Sequence, residues 1–492
     1  MTTFKKRDKN DIYGMPIVGF FFKNPLFLNG LRVTVLLLFA YGVYMGFVDQ
    51  TPENTFTRYL FWGLFWSLFI IVSLSSFGRI FCGICPHGFV GKYLTKWGMN
   101  REFPKFLKNR YIGISLIVIG WWGVYYAYPS FFKSPLATAM LFFVLTVIAV
   151  VFFFVYKEMS YCKYICPIGS LTRAYHRIAP TWLGTYKEDC SQCKTFDCAT
   201  ACSANLKPFT FDKRNSMTDC TLCMDCSTAC ESVSFKINKP SFSLFDTFKI
   251  EKFEVWVFIL ITAAISITMS FHHALGRTAI ADEFIWSKTA NFVQQYIDLG
   301  SMDVVGLFAF IYAMVLSIGI TYIGMFLASK LLNATFEKTF YTLGYAFIPL
   351  FIIGGLSHLL QSFFTHTYAD IANGFIYGFG LDTAPVHNLA ARKETWLNIF
   401  NYFPYIAVIW AYVILGKRIG FFNASKVKKT VAFIFASSLI TFFLSLNIYK
   451  IYVYKTYGFA NTGHHHSTAK KDQHHAGIEK KGIDKTVSKK DM

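Results

Sequence analysis

Two runs of cysteine lie close together near the middle of the chain. Their spacings are C-x2-C-x4-C-x3-C and C-x2-C-x2-C-x3-C, and the second is the spacing of bacterial ferredoxins. A cubane 4Fe–4S cluster needs four thiolates, and such short spacings let successive sulfurs converge on one. The chemistry that these runs predict is electron transfer. The eight residues are Cys190, Cys193, Cys198, Cys202, Cys220, Cys223, Cys226 and Cys230.

In two-cluster ferredoxins the fourth cysteine of each run ligates the cluster of the other run. We therefore expect two clusters, one held by the first three cysteines of the first run with Cys230, the other by the first three of the second run with Cys202. Zinc is the alternative, but zinc favours C-x2-C pairs with a long spacer and four ligands per ion. The x4 gap of the first run and the missing proline after each fourth cysteine depart from the ferredoxin pattern.

The other four cysteines lie in two C-P-x-G elements, each at the end of an apolar helical hairpin. A separation of three or four residues puts both sulfurs of a pair on one helical face, and the following proline places the pair near a helix end. Three interpretations stay open: a site for a soft metal such as Cu(I), a redox-active dithiol, or buried small side chains. Two copies beside proline argue against the last. The residues are Cys82, Cys85, Cys162 and Cys166.

Histidines form the third group of candidates. Histidines inside apolar runs are functional candidates by default, and across helices they could hold copper or, less favourably, haem, or form part of a quinol site. A single helical histidine is more often a packing residue. The candidates are His272, His273, His358 and His366. A His-rich tail, which contains His464, His465, His466, His474 and His475, either binds metal, is a solvated tail, or is a cloning remnant.

The composition indicates a membrane protein. Hydrophobic residues make up 54% of the chain and charged residues 15%, against about 25% charged in ordinary soluble domains. A spanning helix needs about 20 apolar residues, and nine runs are long enough. These runs are 26–48, 58–77, 111–128, 136–156, 253–273, 304–328, 338–362, 397–416 and 430–450.

The net charge of +20 lies mainly in loops beside the apolar runs, above all in 78–110 and 417–429. Nucleic-acid binding is one interpretation of such a charge, but its distribution favours orientation in a membrane by the positive-inside rule. The N-terminus and the cysteine runs are then cytoplasmic and the C-terminus is periplasmic, in a bacterial inner membrane. No removable signal peptide is expected.

We predict an all-α polytopic membrane protein that carries a small ferredoxin-like α+β insert. Residues 1–180 form a four-helix part that contains both C-P-x-G elements, and 181–245 form the cytoplasmic insert with two 4Fe–4S clusters. Residues 246–450 form a five-helix part, and 451–492 form a disordered periplasmic tail.

The order of hairpin, C-P-x-G, hairpin, C-P-x-G and cysteine runs resembles the membrane polyferredoxins over residues 20–240. The family includes NapH-type quinol dehydrogenase subunits, the membrane core of NosR-type maturation proteins, and CcoG-type oxidase assembly factors. The resemblance rests on the sequence GRIFCG at 78–83, on Cys85-Pro86, Cys162 and Cys166-Pro167, and on the eight cysteines of the two runs. The first element departs from the family pattern, because it is C-x2-C where the family usually has C-x3-C.

The resemblance implies electron transfer between a quinone pool or a cytoplasmic donor and a periplasmic reductase or metal centre. If the protein is an enzyme, it is then an oxidoreductase. CcoG-type relatives imply an alternative, a copper-handling assembly factor for a respiratory copper enzyme. The second half has five apolar runs where the CcoG type has a periplasmic β-sandwich, and the N-terminus has no NosR-like flavin domain, so the subfamily stays open.

Overall fold

The computed structural model describes residues 7–191, 193–211 and 217–460. Helices dominate, because the long apolar runs satisfy their backbone polar groups internally, as a bilayer requires. In this part of the chain, seven helices are long and apolar enough to cross a membrane. They are Pro25–Val48, Thr55–Leu74, Pro135–Val155, Lys252–Arg277, Val304–Leu331, Phe336–Gly378 and Thr395–Ile419.

All nine predicted runs are helical, but two of them are not single long helices. The run 111–128 forms the shorter helix Tyr111–Ala127. The run 430–450 forms Lys426–Ala436 and Ser438–Tyr457, which are bent by 50° and count as one span at most. The described residues thus hold seven candidate spans, or eight with the bent pair, so the prediction of nine is not confirmed. The chain is a mostly helical protein with several apolar helices, as expected of a membrane protein.

Local sequence signals set where the spanning helices begin. Pro25 and Pro135 occupy the first helical turn of their helices, where the missing N–H of proline costs no hydrogen bond. The side chain of Asn24 accepts from the backbone N–H of Leu26 at 2.9 Å, and Ser134 accepts from Ala137 at 3.2 Å. Both helices therefore start on a capping residue followed by proline.

Shorter helices and one small sheet complete the fold. Strand β1 (Thr181–Thr185) pairs antiparallel with β2 (Val233–Ile237) in the insert. Three helical turns between the strands carry cysteines: Lys187–Cys190, Asp197–Thr200 and Asp225–Ala229. Other short helices of the fold are Pro16–Lys23, Ile80–Ile84, Pro86–Trp97, Tyr161–Ile165, Pro167–Tyr175 and Ile285–Gln294.

The N-terminal segment packs on the insert, although the sequence grouped it with the membrane part. The backbone N–H of Ile237 donates to Asn10 at 2.8 Å, and Asp11 forms a β-bridge with Lys236. The buried carboxylate of Asp11 also accepts from the backbone N–H of Phe235 at 3.1 Å and from the hydroxyl of Tyr186 at 2.9 Å. This segment therefore adds a third extended stretch beside the two strands of the insert.

The two ends of the helical body differ. The basic loops gather around the insert, where Arg110 pairs with Glu251 at 3.0 Å and Arg418 donates to the carbonyl of Leu244 at 2.9 Å. We call the opposite end the distal end. There Ala460 donates to the carbonyl of Arg277 at 3.0 Å. The last helix continues to Tyr457, past the boundary predicted at 451, and the five histidines of the tail lie outside the described residues.

Candidate functional site

The cysteines of the insert lie in tight turns with unusual backbone geometry. Phe196, Leu222 and Met224 adopt left-handed backbone angles, with φ of 51°, 54° and 62°. Such angles are uncommon for residues other than glycine and are found where the surroundings enforce them, often at functional sites. Leu222 and Met224 flank Cys223, so the chain curls tightly around the second cysteine run.

The turns bring the cysteines together in two groups. Cys198 lies close enough to Cys190, Cys193 and Cys230 to interact electrostatically with them. Cys226 does the same with Cys220, Cys223 and Cys202. Each fourth cysteine thus lies with the opposite run, which is the arrangement of the two predicted ligand sets. Cys226 also interacts with Cys198, so the two groups are neighbours.

Backbone N–H groups point at these sulfurs. Leu222 donates to Sγ of Cys220 at 3.4 Å, and Leu206 donates to Sγ of Cys202 at 3.4 Å. Burial raises the pKa of Cys198 and of Cys223 to about 11, so without a metal these thiols keep their protons. A coordinated cation deprotonates a thiol outright, and hydrogen bonds to sulfur tune the potential of an iron–sulfur cluster. The donor set therefore fits 4Fe–4S clusters.

The four remaining cysteines lie at equivalent positions of two similar elements. Cys85 ends the helix Ile80–Ile84 and begins Pro86–Trp97, as the proline predicts. Cys166 does the same between Tyr161–Ile165 and Pro167–Tyr175, and its Sγ accepts from the N–H of Gly169 at 3.3 Å. The start of a helix favours a thiolate, because the backbone dipoles point their positive ends at it. Burial outweighs this effect and raises the pKa of Cys85 to about 11 and that of Cys166 to about 12.

The glycine of each C-P-x-G element allows a close approach of the backbone. A side chain at Gly169 would lie 2.7 Å from the carbonyl oxygen of Cys162, and one at Gly88 would lie 3.0 Å from that of Cys82. In both elements the glycine therefore packs against the first cysteine of the pair. This shared contact supports the internal repeat.

Both cysteine pairs meet at one place. Sγ of Cys82 lies 3.5 Å from Oγ1 of Thr172, which belongs to the second element. Cys162 lies close enough to Cys166, Cys85 and Cys82 to interact electrostatically with each of them. All four also line one cavity of about 380 Å³. We call this group the four-thiol site, and all its cysteines are free of disulfides.

Sequence reasoning missed a buried cluster of charge beside the four-thiol site. Arg79, which is 1% exposed, lies 3.9 Å from Sγ of Cys82 and donates to the carbonyl of Thr218 at 2.7 Å. Arg173, also 1% exposed, lies 2.6 Å from Asp219 in an ion-pair contact without hydrogen-bond geometry. Arg79 follows the glycine of GRIFCG, but its partners lie about 140 residues further on, where no local pattern points to them.

Asp219 keeps its charge in this cluster. Burial acts to raise its pKa, but Arg173, Arg110 and Arg79 outweigh that effect and hold the pKa of Asp219 below its ordinary value. Because Asp219 precedes Cys220 in the chain, the arginines tie the second cysteine run to the helices that carry the four-thiol site.

Some of the candidate histidines lie close together at the distal end. Nε2 of His272 lies 3.1 Å from Asp303, and the rings of His272 and His273 are 4.6 Å apart. His358 is close enough to interact electrostatically with His273 and His366. One ring nitrogen of His272 and one of His273 are buried without a hydrogen-bond partner. These contacts define a polar cluster, but they do not identify a ligand for it.

Within the described ranges, no three His, Cys, Asp or Glu side chains close around the position of a single metal ion.

Comparison with known proteins points to the same chemistry. A family model described as "4Fe-4S binding domain" matches residues 59–103 and 136–185. The chain is similar to 4Fe–4S binding proteins over this region. The match supports binding of a 4Fe–4S cluster, and with it iron–sulfur electron transfer. The matched segments contain the four cysteines of the four-thiol site and end before Cys190.

Two relatives come from Methanocaldococcus jannaschii, and both are described as uncharacterized. The protein MJ0750 is 26% identical over 193 residues, which cover 35% of this chain and 79% of the relative. The protein MJ0749 is 26% identical over 220 residues, which cover 42% of this chain and 80% of the relative. No solved structure matches the chain. The comparisons give no support to the copper-handling alternative, and they do not confirm a NapH-, NosR- or CcoG-type relationship.

Proposed function

We propose that the protein is an iron–sulfur electron carrier of the bacterial inner membrane. It moves electrons between a quinone pool or a cytoplasmic donor and a reductase or metal centre on the periplasmic side. The observation that carries this proposal is the exchange of the fourth cysteine between the two runs, which brings Cys230 to the first group and Cys202 to the second.

The chain's own residues account for the properties that such a carrier needs. The eight cysteines of the insert would hold two 4Fe–4S clusters, each of which takes up and returns one electron when bound. The backbone N–H groups of Leu206 and Leu222 stabilise negative charge at sulfur. The first cysteine run lies among exposed residues and the second among buried ones, so a soluble donor reaches the first run.

A lipophilic donor or acceptor has a suitable place over the four-thiol site. The cavity of about 380 Å³ lies among the apolar helices and has the thiols in its wall. Burial lowers the pKa of His87 to about 4, so its ring is neutral, and it shares a hydrogen bond of 2.8 Å with Thr146. An aromatic wall with a few polar groups is typical of sites for flat organic molecules, and a quinone is the redox-active member of that class in membranes. The rings in the wall include Phe39, Phe61, Phe65, Phe69, Phe142 and Trp62.

Electron transfer across sealed liposomes tests the proposal. Protein is reconstituted around trapped ferricyanide, and a reduced soluble ferredoxin is added outside, so that neither reagent crosses the bilayer. We expect ferricyanide inside to be reduced by the wild type, and Cys220→Ser with Cys226→Ser to return the rate to that of protein-free liposomes. Wild-type clusters that become reduced while trapped ferricyanide stays oxidised would refute transmembrane transfer.

A further inference from the structure

We propose that the four-thiol site binds a third 4Fe–4S cluster, held by Cys82, Cys85, Cys162 and Cys166, directly beneath the second cysteine run. This goes beyond the proposed function, which needs only the two clusters of the insert. It adds an electron site within the helical body, between the insert and the aromatic cavity.

The number and origin of the thiols fit a single cubane. Two elements that are far apart in sequence each deliver two cysteines to the wall of one cavity. The 3.5 Å contact between Cys82 and Thr172 joins the elements directly. Four thiolates from paired positions are a complete ligand set for one cubane, so no residue from elsewhere is needed.

The glycine contacts fix these cysteines in place. Gly88 and Gly169 pack so closely on the carbonyls of Cys82 and Cys162 that any side chain would displace them. The N–H of Gly169 donates to Cys166 at 3.3 Å. A buried group of small side chains would not need this repeated backbone geometry, whereas a rigid cofactor does.

The charge around the site also favours a cluster. Arg79 is 1% exposed and lies 3.9 Å from Sγ of Cys82. Asp219 interacts electrostatically with Arg79, but it also interacts with Arg173 and Arg110, so one carboxylate faces three guanidinium groups. Unbalanced positive charge in a buried site is costly. A cubane with four thiolates is a compact anion that would reduce this imbalance beside Arg79.

The site also lies next to the second cysteine run. A side chain at Gly83 would lie 2.5 Å from the carbonyl oxygen of Leu222. The guanidinium of Arg32 donates to the carbonyls of both Gly83, at 3.0 Å, and Cys223. Arg79 interacts electrostatically with Cys220 as well as with Cys82 and Cys162. Helix Ile80–Ile84 therefore packs directly on the turn that would hold the second cluster.

This adjacency gives an order to the proposed sites: first run, second run, four-thiol site, cavity. Each transfer moves one electron, so the site that gives it is oxidised, the site that receives it is reduced, and no bond is made or broken. The redox partners are the donor and acceptor of the proposed function.

Iron content of the anaerobically purified full-length protein tests the inference. We expect about twelve irons per chain, four for each cubane, and about eight in Cys82→Ser and in Cys162→Ser. Cys220→Ser with Cys223→Ser is the matched control, because it also removes about four irons but from the insert. About eight irons in the wild type, with or without one copper, would overturn the third cluster without touching the two-cluster proposal.

A second measurement keeps the test valid where a cysteine variant does not fold. Redox-titrated EPR of Arg79→Gln, with Arg79→Lys as the conservative control, measures how a positive charge at residue 79 affects the reduction potential of each cluster. Loss of the positive charge disfavours reduction, so we expect a signal that persists in Cys220→Ser with Cys223→Ser to titrate at a lower potential, and the lysine variant to restore it. Because Arg79 also interacts with Cys220, a shift confined to the signal that those two substitutions remove would contradict the inference. The signal of the exposed first run should not move. If no signal shifts, Arg79 faces no redox centre and the inference fails.

Discussion

At the residue scale, glycines and arginines decide how the cysteines are used. Gly88 and Gly169 let the backbone fold tightly over each thiol pair, and Arg79 brings a buried positive charge beside Cys82. Cysteines at the start of a helix gain from its dipole, but the dipole alone does not select a ligand. In the proposed third site, the positive charge of this buried arginine favours a negatively charged cofactor.

Gly169→Ala tests the close approach in the second C-P-x-G element. The new methyl group would lie 2.7 Å from the carbonyl oxygen of Cys162, so the backbone must shift and the element should lose about 1–3 kcal/mol. A lower apparent melting temperature with fewer irons per chain is expected. Gly123→Ala is the control, since nothing lies within 4 Å of its new methyl group. Equal behaviour of the two variants would argue against a packing role for Gly169.

Asp219→Asn tests the charge cluster, and its effect depends on pH. The pKa of Asp219 is held below its ordinary value by Arg173, Arg110 and Arg79. A carboxyl with a lowered pKa stabilises the fold above its unfolded pKa of about 3.9 and loses this effect as the pH falls through its folded value. Thermal unfolding at pH 7 should show a loss of about 3 kcal/mol. The difference should begin to shrink below about pH 4 and vanish only below the lowered pKa of Asp219 in the folded protein. A constant difference at all pH values would contradict this.

At the element scale, the apolar runs and the prolines predict most helices, because burial in lipid and capping act locally. The bend at Ser437 and the packing of Asp11 on β2 (Val233–Ile237) could not be predicted in this way. The packing of Asp11 depends on a contact between residues 224 positions apart in the sequence. The eight spaced cysteines indicate clusters, whereas the convergence of Cys82 with Cys162 is visible only in three dimensions.

At the element scale, substitutions of two glycines on one helix test whether the cavity binds a quinone. Gly120 lines it, whereas Gly123, on the same helix Tyr111–Ala127, is not among its lining residues, and both have open space around a new side chain. Gly120→Leu should therefore fill part of the cavity, and Gly123→Leu should not.

Quenching of tryptophan fluorescence by a decyl-substituted benzoquinone measures this, because Trp62 and Trp66 lie in the cavity wall. We expect saturable quenching in the wild type and in Gly123→Leu, and a much weaker, non-saturable effect in Gly120→Leu. The same saturation curve in all three proteins would place quinone binding elsewhere.

At the scale of the whole molecule, the insert and the basic loops lie at one end, and the histidine cluster with Asp303 lies at the distal end. The positive-inside rule then predicts that the insert is cytoplasmic. A carrier with its ends arranged in this way would accept electrons at the insert and release them within the bilayer or on its other side.

Limited trypsin digestion of sealed vesicles tests the orientation. Lys194 is exposed in the insert, and Lys393 is exposed in the loop that follows Phe336–Gly378 at the distal end. Inside-out vesicles should be cut at Lys194 and protected at Lys393, and right-side-out vesicles should show the reverse. Cleavage at both sites in the same sealed preparation would contradict two separate faces.

Iron, acid-labile sulfide and zinc in the anaerobically purified chain test the central claim most directly. The account predicts iron and sulfide in equal amounts, at about eight per chain from the insert and about twelve with the four-thiol site, and EPR signals that appear on reduction. Fewer than about four irons per chain, with zinc in their place and no EPR signal, would contradict it.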